Sequence, residues 1–271
     1  MVMLSEVSDQ ILHTAALPTT VASACQVALS RHGRLFSATP AWADLFLAWI
    51  AAVADVPHDL FLSAAVACEY MAAGYDLLDA AAPGEPDLTT RAASDALLRL
   101  SQDLLLGLGV RADCRLRASA VLRRAGDRAL VAQHQDTALR RMPSASPEVV
   151  LSILRRRSGT LVAATCQCAT LLADAPWRTV GLAGRFGMAL GCAAQLEDDM
   201  ADREEDVASG RKTLAVLLTH LHPTAPELVV ATMWALIHHY LYEAARALTR
   251  LPHDRRTEAL WMLLPTTLRA A

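Results

Sequence analysis

Residues 186–214 read FGMALGCAAQLEDDMADREEDVASGRKTL, an apolar run rich in Ala, Gly and Leu that passes without a break into a cluster of acids. On a helix, residues four apart lie about 40° apart around the axis. Asp198, Asp202 and Asp206 therefore form one carboxylate stripe, with Gln195 one turn earlier and Asp199 beside it. Carboxylates that adjoin a buried segment repel one another and lose hydration, so they need cations. Clustered oxygen ligands with room for water suit magnesium held jointly with substrate phosphates. An acidic run balanced by Arg203 can also be a solvated turn, the commoner outcome for an arbitrary run of this kind. Its surroundings decide between the two.

Outward from this stretch the chain divides into apolar segments of three to seven helical turns. Breaks fall at Pro40, Pro57, Pro83-Gly84-Glu85-Pro86, Gly109, Pro143 to Pro147, Pro176, Ser209-Gly210, Pro223 to Pro226 and Pro252. Ser146 before Pro147-Glu148, and Thr224 before Pro226-Glu227, suit helix starts. Segments such as 60–74 and 180–196 are apolar nearly all round, as central helices are. With 54% hydrophobic and 5% aromatic residues, helix formers dominate and strand formers are scarce. The expectation is an all-α, single-domain bundle over residues 1–271, with about ten helices around a central cavity.

A net charge of −3 gives no long-range attraction for nucleic acid. Any anionic ligand has to be held locally. The six cysteines show no CxxC pair and read as reduced core residues; Cys166 and Cys168 point to different helix faces, poor geometry for one metal. His238-His239 with Tyr240 and Tyr242 read as packed or interfacial residues rather than pocket lining. No basic-then-apolar leader opens the chain, and Asp44, Glu69, Asp76 and Asp79 interrupt its most apolar stretches. A cytoplasmic protein without a transmembrane segment is expected.

The pattern Gln195-x-x-Asp198-Asp199-x-x-Asp202, followed by Gly210-Arg211-Lys212-Thr213-Leu214, resembles the second aspartate-rich motif and the Gly-Lys-x-Thr-Leu segment of the trans-isoprenyl diphosphate synthase (polyprenyl synthetase) family. Arg157-Ser158-Gly159-Thr160-Leu161 is similar to that family's Lys-Ser/Thr segment, with Arg in place of Lys. The likeness runs over roughly residues 40 to 220 and is weaker in its first half. Glu69 stands ten residues before Asp79, as a glutamate stands before the family's first Asp-Asp-x-x-Asp motif, but position 80 is Ala and the later Asp position is Pro83. Asp76, Glu85 or Asp87 are candidates to assist Asp79. The family's Gly-Lys-x-x-x-Arg-Pro region corresponds to Arg31 through Trp42, with no clear Lys and no Arg before Pro40, so Arg31 or Arg34 would have to substitute.

The resemblance implies the class I isoprenoid synthase fold and a magnesium-dependent prenyltransferase acting on an allylic isoprenyl diphosphate, condensed with isopentenyl diphosphate or another acceptor. It implies Asp79, Asp198, Asp199 and Asp202 as metal ligands, and Arg157, Arg211, Lys212 and Gln195 as diphosphate contacts. Asp198, Asp199 and Arg157 would carry catalysis. A homodimer, or a heterodimer with a related subunit, is the family habit. The reduced first motif leaves two alternatives: a non-catalytic partner subunit of a heteromeric synthase, or a terpene cyclase-like enzyme.

Overall fold

Proline, glycine and cap residues cut this alanine- and leucine-rich chain into helices. The computed structural model describes residues 4–31, 42–55, 58–79, 87–142, 145–252 and 255–264. In chain order the helices are α1 (Leu4–Thr14), α2 (Thr19–Arg31), α3 (Trp42–Val53), α4 (Leu62–Asp79), α5 (Leu88–Leu106), α6 (Ala112–Leu139), α7 (Pro147–Leu154), α8 (Thr160–Leu172), α9 (Trp177–Ala201), α10 (Arg203–Ser209), α11 (Leu214–Leu221), α12 (Pro226–Leu248) and α13 (Arg255–Trp261). A 3-10 turn, His58–Phe61, precedes α4, and a π-turn, Arg155–Gly159, joins α7 to α8. No strand occurs among the described residues. The segments outnumber the expected ten because α10, α11 and α13 are only seven or eight residues long.

Local chemistry explains several boundaries. Asp87 caps α5 by accepting the Thr90 N–H at 2.9 Å, and Ser146 caps α7 ahead of Pro147, as its sequence position suggested. Helix α12 starts at Pro226, yet Ala225 rather than Thr224 is its cap residue and offers no side-chain acceptor. The acidic helix is broken at Asp202, whose φ of −90° and ψ of 8° end α9 and begin α10. Helix α10 then closes on Gly210, at φ +71°, with Gly210 N–H bonded to Val207 O and Arg211 N–H to Asp206 O. That left-handed closure suits a residue without Cβ.

Helix α8 lies at the centre: every one of its residues except Gln167 is buried. It packs against α3, α6 and α9, and α12 covers α9. Glycine sets how closely α8 and α9 approach. A Cβ on Gly187 would lie 2.6 Å from the Val162 carbonyl oxygen, and one on Gly191 2.7 Å from a Val162 methyl. The close approach brings the start of α8 against the third and fourth turns of α9. A smaller apolar cluster, including Leu12, Cys25, Tyr70 and Leu97, packs α1 and α2 on α4 and α5. All six cysteines are free and buried. The Cys168 thiol lies beside that of Cys68, whereas Cys166 lies against Trp49, so the two thiols of α8 do point to different neighbours. No described helix is long and apolar enough to cross a membrane.

Candidate functional site

The π-turn between α7 and α8 builds one wall. Its signature bond runs from the Thr160 N–H to the Arg155 carbonyl, five residues back. The turn absorbs one added residue, so α7 and α8 keep their apolar faces in the core while Arg157 and Ser158 emerge between them. Both line a cavity of about 160 Å³. The other walls come from Trp42 on α3, Tyr75, Asp76 and Leu78 on α4, Ala129, Leu130 and Gln133 on α6, and Gly191, Gln195 and Asp198 on α9. Tyr75 fits because Gly126 on α6 has no side chain; a Cβ there would overlap the Tyr75 hydroxyl.

A hydrogen-bonded chain crosses from α8 to α9. Ser158 Oγ donates to Gln195 Oε1 at 2.6 Å, and Gln195 Nε2 donates to Asp199 Oδ1 at 2.9 Å. Gln195 was assigned to diphosphate; both ends of its amide are engaged within the protein, and it lines the cavity as well. Arg157 Nη1 meets Asp136 Oδ2 of α6 at 3.3 Å, with both side chains 19% exposed. Arg157 is thus not merely a surface member of the 155–157 arginine run.

Burial dominates the electrostatics here. Asp199 is 6% exposed, and burial pushes its carboxyl up to about 7 against the opposing pull of the Gln195 hydrogen bond and of Arg157. Burial, helped by Asp202 and Glu197, raises Asp198 to about 6. Asp206 is raised by burial too, opposed by Arg211, whose Nη1 lies 3.7 Å from its carboxylate. Asp198 and Asp199 are carboxylates short of counter-charge, the condition a cation relieves.

The expected residues divide into three groups. Arg157, Gln195 and Asp198 line the cavity, and Asp76 of α4 faces it from the opposite wall. Asp199 sits behind that wall, one residue round the helix from Asp198. Asp202, Arg211 and Lys212 lie outside it, in the break after α9 and the turn after Gly210, where the Lys212 ammonium donates to the Met142 carbonyl. Asp206 does not extend the stripe to the cavity: it is buried in α10 behind the Asp202 break.

On the first-motif side, Asp79 is the last residue of α4, and its side chain lies outside the described residues, as do Ala80 through Pro86, with Glu85 among them. Asp87 is committed to capping α5. Glu69 accepts the Ala43 N–H at 2.7 Å, fixing the start of α3, and burial carries its carboxyl to about 7. Arg34 and the stretch through Pro40 lie outside the described residues, as does the side chain of Arg31.

Sequence reasoning missed Gln133 and Asp136. Their spacing of three puts them on one face of α6, but nothing local says that this face meets Arg157. No three His, Cys, Asp or Glu side chains among the described residues stand close enough to hold a metal alone. The oxygen donors of Asp76 and Asp198, facing one cavity, fit a hard cation that completes its shell with ligand oxygens and water.

No curated protein matches the sequence. Among solved structures, the chain is similar to a geranylgeranyl pyrophosphate synthetase from the archaeon Geoglobus acetivorans, with TM-score 0.78 and 16% identity over 99% of this chain and 98% of that one. It is similar to a geranyltransferase from Helicobacter pylori, solved with magnesium and isoprenyl diphosphate, with TM-score 0.74 and 16% identity over 96% and 93%. A mint heterotetrameric geranyl pyrophosphate synthase, as a deletion mutant with ligands, gives TM-score 0.67 and 14% identity over 96% and 97%. Such identities speak for the fold. Residues 89–233 match the polyprenyl synthetase family model, a span that takes in Arg157, Gln195, Asp198, Asp199, Asp202, Arg211 and Lys212 and starts after Asp79. By that match, over more than half its length, the chain belongs to the polyprenyl synthetase family.

Proposed function

We propose that the protein is a magnesium-dependent prenyltransferase that takes an allylic isoprenyl diphosphate and joins its alkyl part to isopentenyl diphosphate or another acceptor. The observation that carries this is the convergence of Asp198, Asp76 and Arg157 on one cavity, in a chain of the polyprenyl synthetase family. Asp198 and Asp76 would hold the metal from inside the cavity, with Asp79 at the end of α4, and Asp199 and Asp202 would join them from just outside its wall. When bound, magnesium supplies the positive charge that stabilises a departing pyrophosphate.

The chain's own residues do the rest. The Arg157 guanidinium, oriented by Asp136, offers a planar fork to diphosphate oxygens. Arg211 and Lys212, just past Gly210, would reach the diphosphate by leaving Asp206 and the Met142 carbonyl. The allylic C–O bond breaks with its electron pair leaving on pyrophosphate, the acceptor's electrons close on the allylic carbon, and the acceptor then loses a proton to the released pyrophosphate. Trp42, Leu161, Val162 and Ala194 make the cavity apolar between its charged groups, keeping water from the cationic carbon.

The test is incubation of the purified protein with magnesium and geranyl, farnesyl or geranylgeranyl diphosphate, with and without isopentenyl diphosphate, following pyrophosphate release. Turnover that vanishes in Asp198→Ala/Asp199→Ala supports the reading; turnover that survives in that variant overturns the assigned metal site. A second reading, a non-catalytic partner subunit, is favoured by Ala80 and Pro83 at two metal-ligand positions of the first motif. No turnover by the chain alone, with turnover restored by a related subunit, would select it.

A further inference from the structure

On the other side of α8 a second, larger recess of about 930 Å³ opens between α6 and α12, floored by α8 and α9. Its walls are basic. Arg124 and Arg128 stand one turn apart on α6, Arg246 lies in the last turn of α12 and Arg250 in the turn that follows it, with Arg155 from the π-turn and Arg185 from α9. These are six of the 25 Lys and Arg residues of a chain whose net charge is −3, so positive charge is concentrated here against the overall balance. The acid on these walls is Glu243, and it is paired to Arg246 at 3.4 Å.

An exposed arginine needs no ligand, and arginines on a convex surface are ordinarily just solvated. Here they line one concave space, Arg124 with its Nε bonded to the Ala120 carbonyl of its own helix, and the floor is small and apolar: Ala163 and Ala164 of α8, Gly181, Gly184 and Ala189 of α9, and Ala247 of α12. A Cβ on Gly181 would meet nothing within 4 Å, and one on Gly184 would strike the Gln167 amide at 2.5 Å. Glycine thus keeps the floor open and lets Gln167, the one residue of α8 that is not buried, reach the recess. His239 and Tyr240 line it too, a role the sequence reading had set aside. Six guanidinium groups lining one recess over an apolar floor match a ligand with a compact multivalent anion at one end and an apolar body at the other.

We propose that this recess is a second ligand site, separate from the cavity of Asp198 and Arg157, that takes a small organic diphosphate on the arginines of α6 and α12. The diphosphate is the shared chemistry; the body can be isoprenoid or nucleoside. Binding here needs no metal, because the site's own charge is positive, and it stands whether or not the chain turns over allylic substrates.

Binding of farnesyl diphosphate, ADP and inorganic pyrophosphate is measured by calorimetry on the full chain in EDTA and, separately, in magnesium, at low and moderate salt. The expected result is binding that weakens at least tenfold in Arg185→Glu/Arg246→Glu and is unchanged in Asp198→Asn. Farnesyl diphosphate or ADP binding at least fivefold tighter than pyrophosphate identifies the body the floor accepts. Arg124→Gln/Arg250→Gln, from the opposite walls, repeats the test with less charge change, and far-ultraviolet dichroism verifies that each variant is folded. Equal affinity in wild type and both arginine variants overturns the site. So does binding that appears only with magnesium and is lost in Asp198→Asn, which would place it in the other cavity. Tighter binding of a single-stranded oligonucleotide or of phosphatidylserine vesicles than of any diphosphate overturns the ligand class.

Discussion

Asp199→Asn separates metal holding from fold holding. In the metal-free protein the Asp199 carboxyl is raised from 3.8 to about 7, chiefly by burial. Between those values the folded state binds a proton that the unfolded state has lost, so stability falls as pH rises. This group's contribution is fully present below about pH 4 and is lost as pH climbs through about 7. At 1.36 kcal/mol per unit, the loss reaches up to about 4 kcal/mol at pH 8 and roughly 1.5 kcal/mol at pH 5. Asparagine keeps the shape and can still accept the Gln195 amide hydrogen, but carries no charge to desolvate. The variant is therefore expected to melt higher than wild type in EDTA, by up to about 7 °C at pH 8 for a chain of this size, and by much less at pH 5. In the same assay, the stabilisation that magnesium with pyrophosphate confers on wild type should largely vanish in the variant. A melting temperature below wild type at pH 8, or a gain of the same size at both pH values, refutes the electrostatic reasoning. Undiminished stabilisation by magnesium and pyrophosphate refutes the assignment of Asp199 to the metal.

Four further outcomes are expected. Gly187→Ala should destabilise the fold by about 2–3 kcal/mol despite alanine's better helix propensity, because its Cβ would lie 2.6 Å from the backbone oxygen of Val162 and force α8 and α9 apart; an unchanged urea midpoint would contradict the seam. Arg157→Lys keeps the charge but loses the planar fork, so kcat/KM for an allylic diphosphate should fall roughly tenfold to a hundredfold; equal values would show that only charge matters. Tyr75→Ala opens the cavity beside Gly126 and should lengthen the isoprenyl chain of the product by mass spectrometry, and an unchanged product would remove Tyr75 from the site's wall. Glu69 is raised to about 7, so Glu69→Gln should flatten the loss of metal-free stability between about pH 4.5 and 7; a profile that keeps its slope would deny the effect of burial on this group.

The helical architecture was readable because its determinants are local: alanine and leucine content, proline breaks, and caps such as Ser146. The segments around Arg157 and Asp198 were readable because order and spacing survive in one dimension. Other features depend on contacts that no short window contains. The Arg157–Asp136 pair joins residues 21 apart on different helices. The Ser158–Gln195–Asp199 chain gives Gln195 both its partners inside the protein, whereas its motif position pointed toward ligand. The break at Asp202 sits in a run of helix-compatible residues, and only the backbone angles reveal that Asp206 is turned from the cavity. The arginines of the second recess span residues 124 to 250 and come together solely through packing. Gly187 and Gly191 did carry a signal, since a glycine inside an apolar helix commonly marks close backbone approach.

The π-turn at Arg155–Gly159 makes the chain's geometry sensitive to counting. It holds one residue more than an α-helical turn, and each residue of an α-helix rotates the next by about 100°. Deleting one residue from the run Arg155-Arg156-Arg157 would let α7 and α8 merge into an ordinary helix with its regular hydrogen bonds restored. The same deletion would leave the faces of α7 and α8 in register, because the π-turn absorbs its extra residue, but would draw the remaining guanidinium out of the bulge between Asp136 and the cavity. The site is in this sense bought with an insertion, and a shorter relative with a smoother helix here would hold its fold more easily while having no arginine at this place.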